Sequence, residues 1–237
     1  MTHYPYVTSP WVRQRTPVHT PARQVVAPTG SIIRGLFPSV KARRMVPFEQ
    51  LLELDALYLF EFAPQVVDIR EQPFKLQYAM GNKVRCYTPD YALILRDGDI
   101  LIVEVKPSRS LAKPEVHEKL LYVRDAMVRQ GHQFIVLSSD TIRMPCRLDN
   151  LKRLHRFLGG PLAPDKYHQL HQLRARLGKH VILPLDSLIQ HMGGMNEVFG
   201  LLAHGELSCD LGLPLSSDTL ISLDPNEEAD YVFVDSL

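Results

Sequence analysis

Cysteine is scarce in this 237-residue sequence and poorly spaced for structure: Cys86, Cys146 and Cys209 are odd in number and about sixty residues apart. That pattern fits neither a disulfide framework nor the close ligand pairs of a zinc site, so the thiols are expected to be reduced and the protein cytoplasmic. Long apolar runs are also missing. No stretch approaches the ~20 apolar residues a membrane span needs, and the opening MTHYPYVTSPWVRQR has no apolar core of the kind a secretory signal carries. A soluble protein without membrane contact is expected. No internal repeat is present, and Gly159-Gly160 and Gly193-Gly194 lack the flanking residues of a phosphate-cradling loop. They mark turns, and no nucleotide cofactor site is expected.

Each end of the chain lacks one sign of charge. Residues 1–48 hold seven Arg and Lys and no acid, whereas residues 206–237 hold eight acids and no base. The net charge of +1 hides this polarity. One end suits phosphate and the other repels it. The basic arm, with Arg34, Lys41, Arg43 and Arg44 at its inner end, is the candidate DNA-contacting segment.

Patterning along the chain divides it in three. Residues 1–33 mix Pro, Thr, Val and Arg without helical or strand period and read as an extended arm. From residue 34 to about 150 the order of elements predicts an α/β domain with a mixed sheet. A helix is predicted over 47–62, where Leu52, Ala56, Leu59 and Phe60 recur at helical spacing before Pro64. Short apolar runs broken by turn residues follow: VVDIR, FKLQYA, VRCYTPDYALIL and ILIVEVK. A second helix starts at Pro114 and ends at Gly131, and the buried strand QFIVLSS comes next. Residues 151–237 form a smaller helical region. Two short helices around Gly193-Gly194, followed by two strands, predict a winged-helix-like domain. Its acidic end favours a protein partner over phosphate.

The chemistry lies in the hairpin from Tyr87 to Lys106, which places acids inside strands that otherwise read as core. With Asp97-Gly98-Asp99 as a three-residue loop, position 96 pairs with 100. Asp90 then lies opposite Lys106, and Glu104 opposite position 92. Positions 90, 92, 104 and 106 share one face by the two-residue period of strands. A two-residue loop would instead put Asp90 on the face opposite Glu104 and Lys106. Two carboxylates this close cannot both ionise cheaply without a cation between them, and hard oxygen ligands select Mg²⁺, with Mn²⁺ able to substitute. A lysine beside such a metal can orient a nucleophile or neutralise developing charge, as phosphodiester hydrolysis requires. On the first helix, Glu49 and Glu53 lie four apart on one face, and Glu53, with Glu49 as its rival, is the candidate third carboxylate.

The motif PD at 89–90 followed by EVK at 104–106 resembles the PD-(D/E)xK nuclease superfamily. A longer run, GLFPSVKARRMVPFEQLLELDALYLFEFAPQVVDIREQP with YTPDY and EVKP, resembles TnsA, the endonuclease subunit of heteromeric cut-and-paste transposons. The resemblance covers residues 34–110 and implies a restriction-endonuclease-like sheet flanked by helices. It implies Glu53, Asp90, Glu104 and Lys106 as catalytic residues, with the Val105 carbonyl as a further metal ligand. It further implies cleavage of the 5′ strand at transposon ends beside a DDE transposase, TnsB, and contact of the C-terminal domain with an AAA+ regulator, TnsC. A stand-alone restriction or repair nuclease, and a non-catalytic adaptor joining DNA to a regulator, are the alternatives.

Overall fold

The computed structural model describes residues 19–22, 33–178 and 180–224, so most of the predicted arm and the last residues of the acidic tail lie outside the described residues. The elements run β1 (Gly35–Ser39), β2 (Arg44–Phe48), α1 (Leu51–Phe62), β3 (Val66–Glu71), β4 (Leu76–Met80), β5 (Lys83–Tyr87), β6 (Tyr91–Leu95) and β7 (Ile100–Lys106). They continue α2 (Ser108–Leu111), α3 (Pro114–Arg129), β8 (Gln133–Ser138), α4 (Ser139–Ile142), α5 (Arg147–His155), α6 (Pro164–Leu177), β9 (Ile182–Pro184), α7 (Leu185–Met192), α8 (Met195–Ala203) and β10 (Leu220–Ser222). The central sheet has the order β3-β6-β7-β8, antiparallel except for the β7–β8 pair. The expected mixed α/β sheet is therefore present.

Both faces of this sheet are covered, which explains why its strands read as nearly continuous apolar runs. Tyr91, Leu93, Leu101, Val103 and Val105 face one core with α1, while Ala92 and Ile102 face a second core with α3 and the β4–β5 hairpin. The first core does not stop near residue 150. It continues through Leu154, Leu170, Leu188 and Phe199 to Leu223. Helix α5 packs on α1 and on α8, and the buried Asp55 carboxylate on α1 binds Arg143 at 2.8 Å and Lys152 at 2.7 Å.

Helix α1 begins at Leu51 rather than residue 47, because Arg44–Phe48 pairs antiparallel with Gly35–Ser39. Phe37, Val46 and Phe48 of this hairpin are buried, but Pro38 and Pro47 interrupt the strand signature and mask it in the sequence. Glu61 fixes the turn. It is 4% exposed and accepts hydrogen bonds from Ser39 Oγ at 2.6 Å, Val40 N–H at 2.8 Å and Lys41 N–H at 3.0 Å. Glu61→Ala would strand these donors, and we expect a loss of about 2–4 kcal/mol in urea unfolding. Glu61→Gln, which can still accept, should cost less.

In the C-terminal region α7 and α8 flank Gly193, whose φ of 84° lets the chain turn. The two strands differ from the expected order: β9 precedes the helix pair and β10 follows it, paired antiparallel, with an isolated Ser208–Ser222 bridge beside them.

Candidate active site

The β6–β7 hairpin closes differently from the expected register. Leu95 N–H donates to Asp99 O at 2.8 Å and Gly98 N–H to Leu95 O at 3.0 Å, so the three loop residues are 96–98 and the pairs are Tyr91–Val103, Ala92–Ile102, Leu93–Leu101 and Ile94–Ile100. Gly98, at φ 95°, takes the last loop position, where the left-handed conformation belongs. Continuing that register sets Asp90 against Glu104, not against Lys106, and Ala92 against Ile102, not Glu104. The shift is by two residues, so every side chain keeps its face. Asp90, Glu104 and Lys106 converge as the alternation requires.

Their contacts follow from that convergence. Glu104 is 2% exposed, its Oε1 pairs with Lys106 Nζ, and its buried Oε2 has no partner within hydrogen-bond geometry among the described residues, the Tyr87 hydroxyl being the polar group beside the carboxylate. Asp90 Oδ2 accepts from Val105 N–H at 2.8 Å. Burial and then the Glu104 charge push the Asp90 carboxyl well above the usual carboxylate range. Burial alone would lower the Lys106 ammonium, but the charges of Glu104, Asp90 and Glu53 outweigh it and hold its pKa up at about 12. The lysine is thus a permanent cation at neutral pH.

Asp90, Val105 and Lys106 line a cleft of about 410 Å³ whose walls also include Glu49, Glu53 and Arg109, while Glu104 is buried beside Lys106 rather than on the wall. Helix α1 brings the two glutamates to it from its first turn and the residue before its cap. Burial, followed by the neighbouring Glu49, raises the Glu53 pKa. Of the two, Glu53 is the one whose charge also acts on Asp90. Its carboxylate is engaged locally, accepting from Glu49 N–H at 2.8 Å, while Glu49 lies 3.6 Å from Arg34. Among the described residues no three His, Cys, Asp or Glu side chains already cluster as metal ligands.

A divalent cation nonetheless fits the donors that are present. Glu104 Oε2 is an orphaned anionic oxygen, and burying it unpaired is costly unless a cation completes its shell. Asp90 faces it across the strand pair, and both are hard oxygen donors.

Residues 63–139 match the family model for the TnsA-like endonuclease N terminal. The chain carries a TnsA-like endonuclease N-terminal domain. No curated protein matches it. The TnsA-like match runs from the end of α1 to the start of α4 and so contains Asp90, Glu104 and Lys106, while Glu53 lies ahead of it. A TnsA-like domain marks a nuclease, for which DNA is the substrate and metal dependence is typical. Among the described residues no helix is long and apolar enough to cross a membrane.

The four basic residues expected at DNA lie apart from one another. Lys41 Nζ donates to the Phe60 carbonyl at 3.1 Å and also to that of Ala63. This is the far end of α1 from the cleft, about 18 Å along a helix of 12 residues. Burial lowers the Lys41 pKa to about 7. Arg44 pairs with both oxygens of buried Glu71, and Arg43 is an exposed turn residue with φ 53°. Only Arg34, through Glu49, stands beside the cleft. Two site residues escaped the sequence reading. Arg109 lines the cleft, and its signal was the position three residues after Lys106 in EVKPSR. Tyr87 is buried beside Glu104 with Lys119 Nζ 5.0 Å from its ring centre, and only its place in YTPD could have indicated it.

Proposed function

We propose that this chain is the Mg²⁺-dependent endonuclease subunit of a heteromeric transposase and hydrolyses the 5′ strand at transposon ends. The observation that carries the nuclease reading is the orphaned Glu104 Oε2 facing Asp90, with Lys106 paired to the other oxygen of the same carboxylate. Asp90, Glu104 and the Val105 carbonyl would hold the metal, with Glu53 reaching it directly or through water. Bound there, Mg²⁺ would lower the pKa of a water and polarise the scissile phosphate, and Mn²⁺ would serve in its place.

The protein's own groups supply the rest. The Val105 N–H fixes one Asp90 oxygen and leaves the other for the cleft. Lys106, a cation beside these carboxylates in the metal-free site, would neutralise the charge that builds on the phosphate as the water attacks. Arg109 at the cleft wall suits a flanking phosphate.

The transposition role rests on the TnsA-like match and on the long resemblance through residues 34–110. In that reading a TnsB-like DDE transposase cuts the other strand. A TnsC-like AAA+ regulator docks on the C-terminal region, a winged helix whose strand pair flanks α7 and α8. The test is strand-specific cleavage of labelled transposon-end DNA in Mg²⁺ with and without the cognate transposase. Cleavage confined to the 5′ strand and dependent on the partner is expected. Vigorous cleavage by the chain alone would instead make it a stand-alone nuclease, and none under any condition would make it an adaptor.

A further inference from the structure

Among the described residues, strands β4 and β5 pair only with each other and form a two-stranded ribbon apart from the central sheet. The ribbon leads directly into Pro89-Asp90. Its inner face is anchored, with Leu76, Tyr78 and Tyr87 buried against α3. Its outer face is unusual for a folded surface. The cross-strand pairs Ala79–Val84 and Gln77–Cys86 are all exposed, uncharged and of modest size, and Val84 is 72% exposed. Among the described residues nothing covers the Val84 side chain.

Charge supplies the second observation. Between residues 72 and 89 there are three bases, Lys75, Lys83 and Arg85, and no acid, and all three are exposed. On the other side of the triad, residues 105–114 add Arg109 and Lys113, again exposed and again without an acid. The acids Asp90 and Glu104 therefore lie between two cationic borders. Such borders attract a polyanion, while the ribbon's flat neutral face, with its cations on the reverse face and at its edge, suits the edges of bases more than phosphate.

We infer that the β4–β5 ribbon is a DNA-contacting element that enters the major groove next to the catalytic cleft. The dimensions agree. Two paired strands are about 5 Å apart and five residues span about 17 Å, and a major groove about 12 Å wide admits a two-stranded ribbon. Val84 and Cys86 then face its floor, while Lys83 and Arg85, which leave β5 on the opposite face but are exposed, reach round the ribbon's edge to phosphates at the groove margin. The inference rests on the nuclease reading for the identity of the polyanion. Its test can fail separately.

Cys86 is exposed, whereas Cys146 and Cys209 are half-buried, so the protein carries its own probe. The full chain is incubated in EDTA with a ~30-bp duplex bearing a disulfide-activated tether in either the major or the minor groove. Cross-linking at Cys86 from the major groove should exceed that from the minor groove, and that at the other two cysteines, by at least tenfold. Replacing both ribbon cations, Lys83→Ala with Arg85→Ala, should cut the slope of log affinity against log salt by about two. Affinity in moderate salt should fall at least tenfold. An unchanged slope with no groove preference at Cys86, in protein that still cleaves through Asp90, would overturn the inference and leave the ribbon as a surface for a protein partner. Groove-selective cross-linking in protein that never cleaves would uphold the ribbon and remove the nuclease reading.

Discussion

Asp90→Ala and Lys106→Ala should each lower Mg²⁺-dependent cleavage at least ~10³-fold, with the folded structure retained. Asp90→Ala removes a carboxylate proposed to hold the metal and frees the Val105 N–H. Lys106→Ala leaves the buried Glu104 carboxylate without its cation. Both losses act where charge develops in the transition state, where single preorganised groups supply about 10²–10³ in rate and a metal ligand more. Saturating Mg²⁺ separates the two: part of the Asp90→Ala defect should respond to metal concentration, and the Lys106→Ala defect should not. Glu53→Gln calibrates the site. Because Glu53 already accepts a backbone hydrogen bond, its amide should reduce cleavage less than loss of Asp90. Cleavage unchanged in all three variants, assayed with the cognate transposase, would remove the active site from this cleft.

Without metal, Asp90→Asn should stabilise the protein. The asparagine oxygen can keep the Val105 hydrogen bond, and its amide can donate to the orphaned Glu104 Oε2. The sign follows from the raised Asp90 pKa. An unfolded aspartate ionises near 3.8, while the folded one resists ionisation. The wild-type protein therefore loses stability as pH rises from that value through the folded pKa, and the full cost is present above it. At neutral pH in EDTA the variant should gain about 1–2 kcal/mol, or ~2–8 °C in Tm for a chain of this size. The gap between variant and wild type should close toward pH 4. Adding Mg²⁺ should raise the wild-type Tm and leave the variant nearly unmoved. A variant less stable than wild type in EDTA would mean that the two carboxylates do not repel one another.

Much of this site was legible because strand alternation constrains parity more tightly than register. Reading the loop as 97–99 misplaced the partners of Asp90 and Lys106, yet both registers keep 90, 104 and 106 on one face. Gly98 held the missing information, since a three-residue hairpin loop wants its left-handed residue last. Helix α1 was legible from Leu52, Ala56, Leu59 and Phe60, but its start was not, because a Pro-containing strand pair hides from alternation. The fates of Lys41 and Arg44 could not be read at all. Whether a basic side chain meets solvent, a helix terminus or a buried Glu71 depends on contacts 19 to 27 residues away in sequence. The continuity of the core past residue 150 was equally hidden, since apolar periodicity shows that a face is buried and not against what.

That continuity has a mechanical consequence. Helix α1 carries Glu53 into the cleft, and two residues on it carries Asp55, which is clamped by Arg143 and Lys152. The wall of the cleft is thereby fastened to the helices that follow it in the chain. A chain cut near residue 150 would expose the α1 surface that α5 covers, and the nuclease half would be expected to lose its cooperative melting transition rather than fold as a smaller enzyme. By the same linkage, a load applied to the C-terminal helices is borne by the strut that positions Glu53.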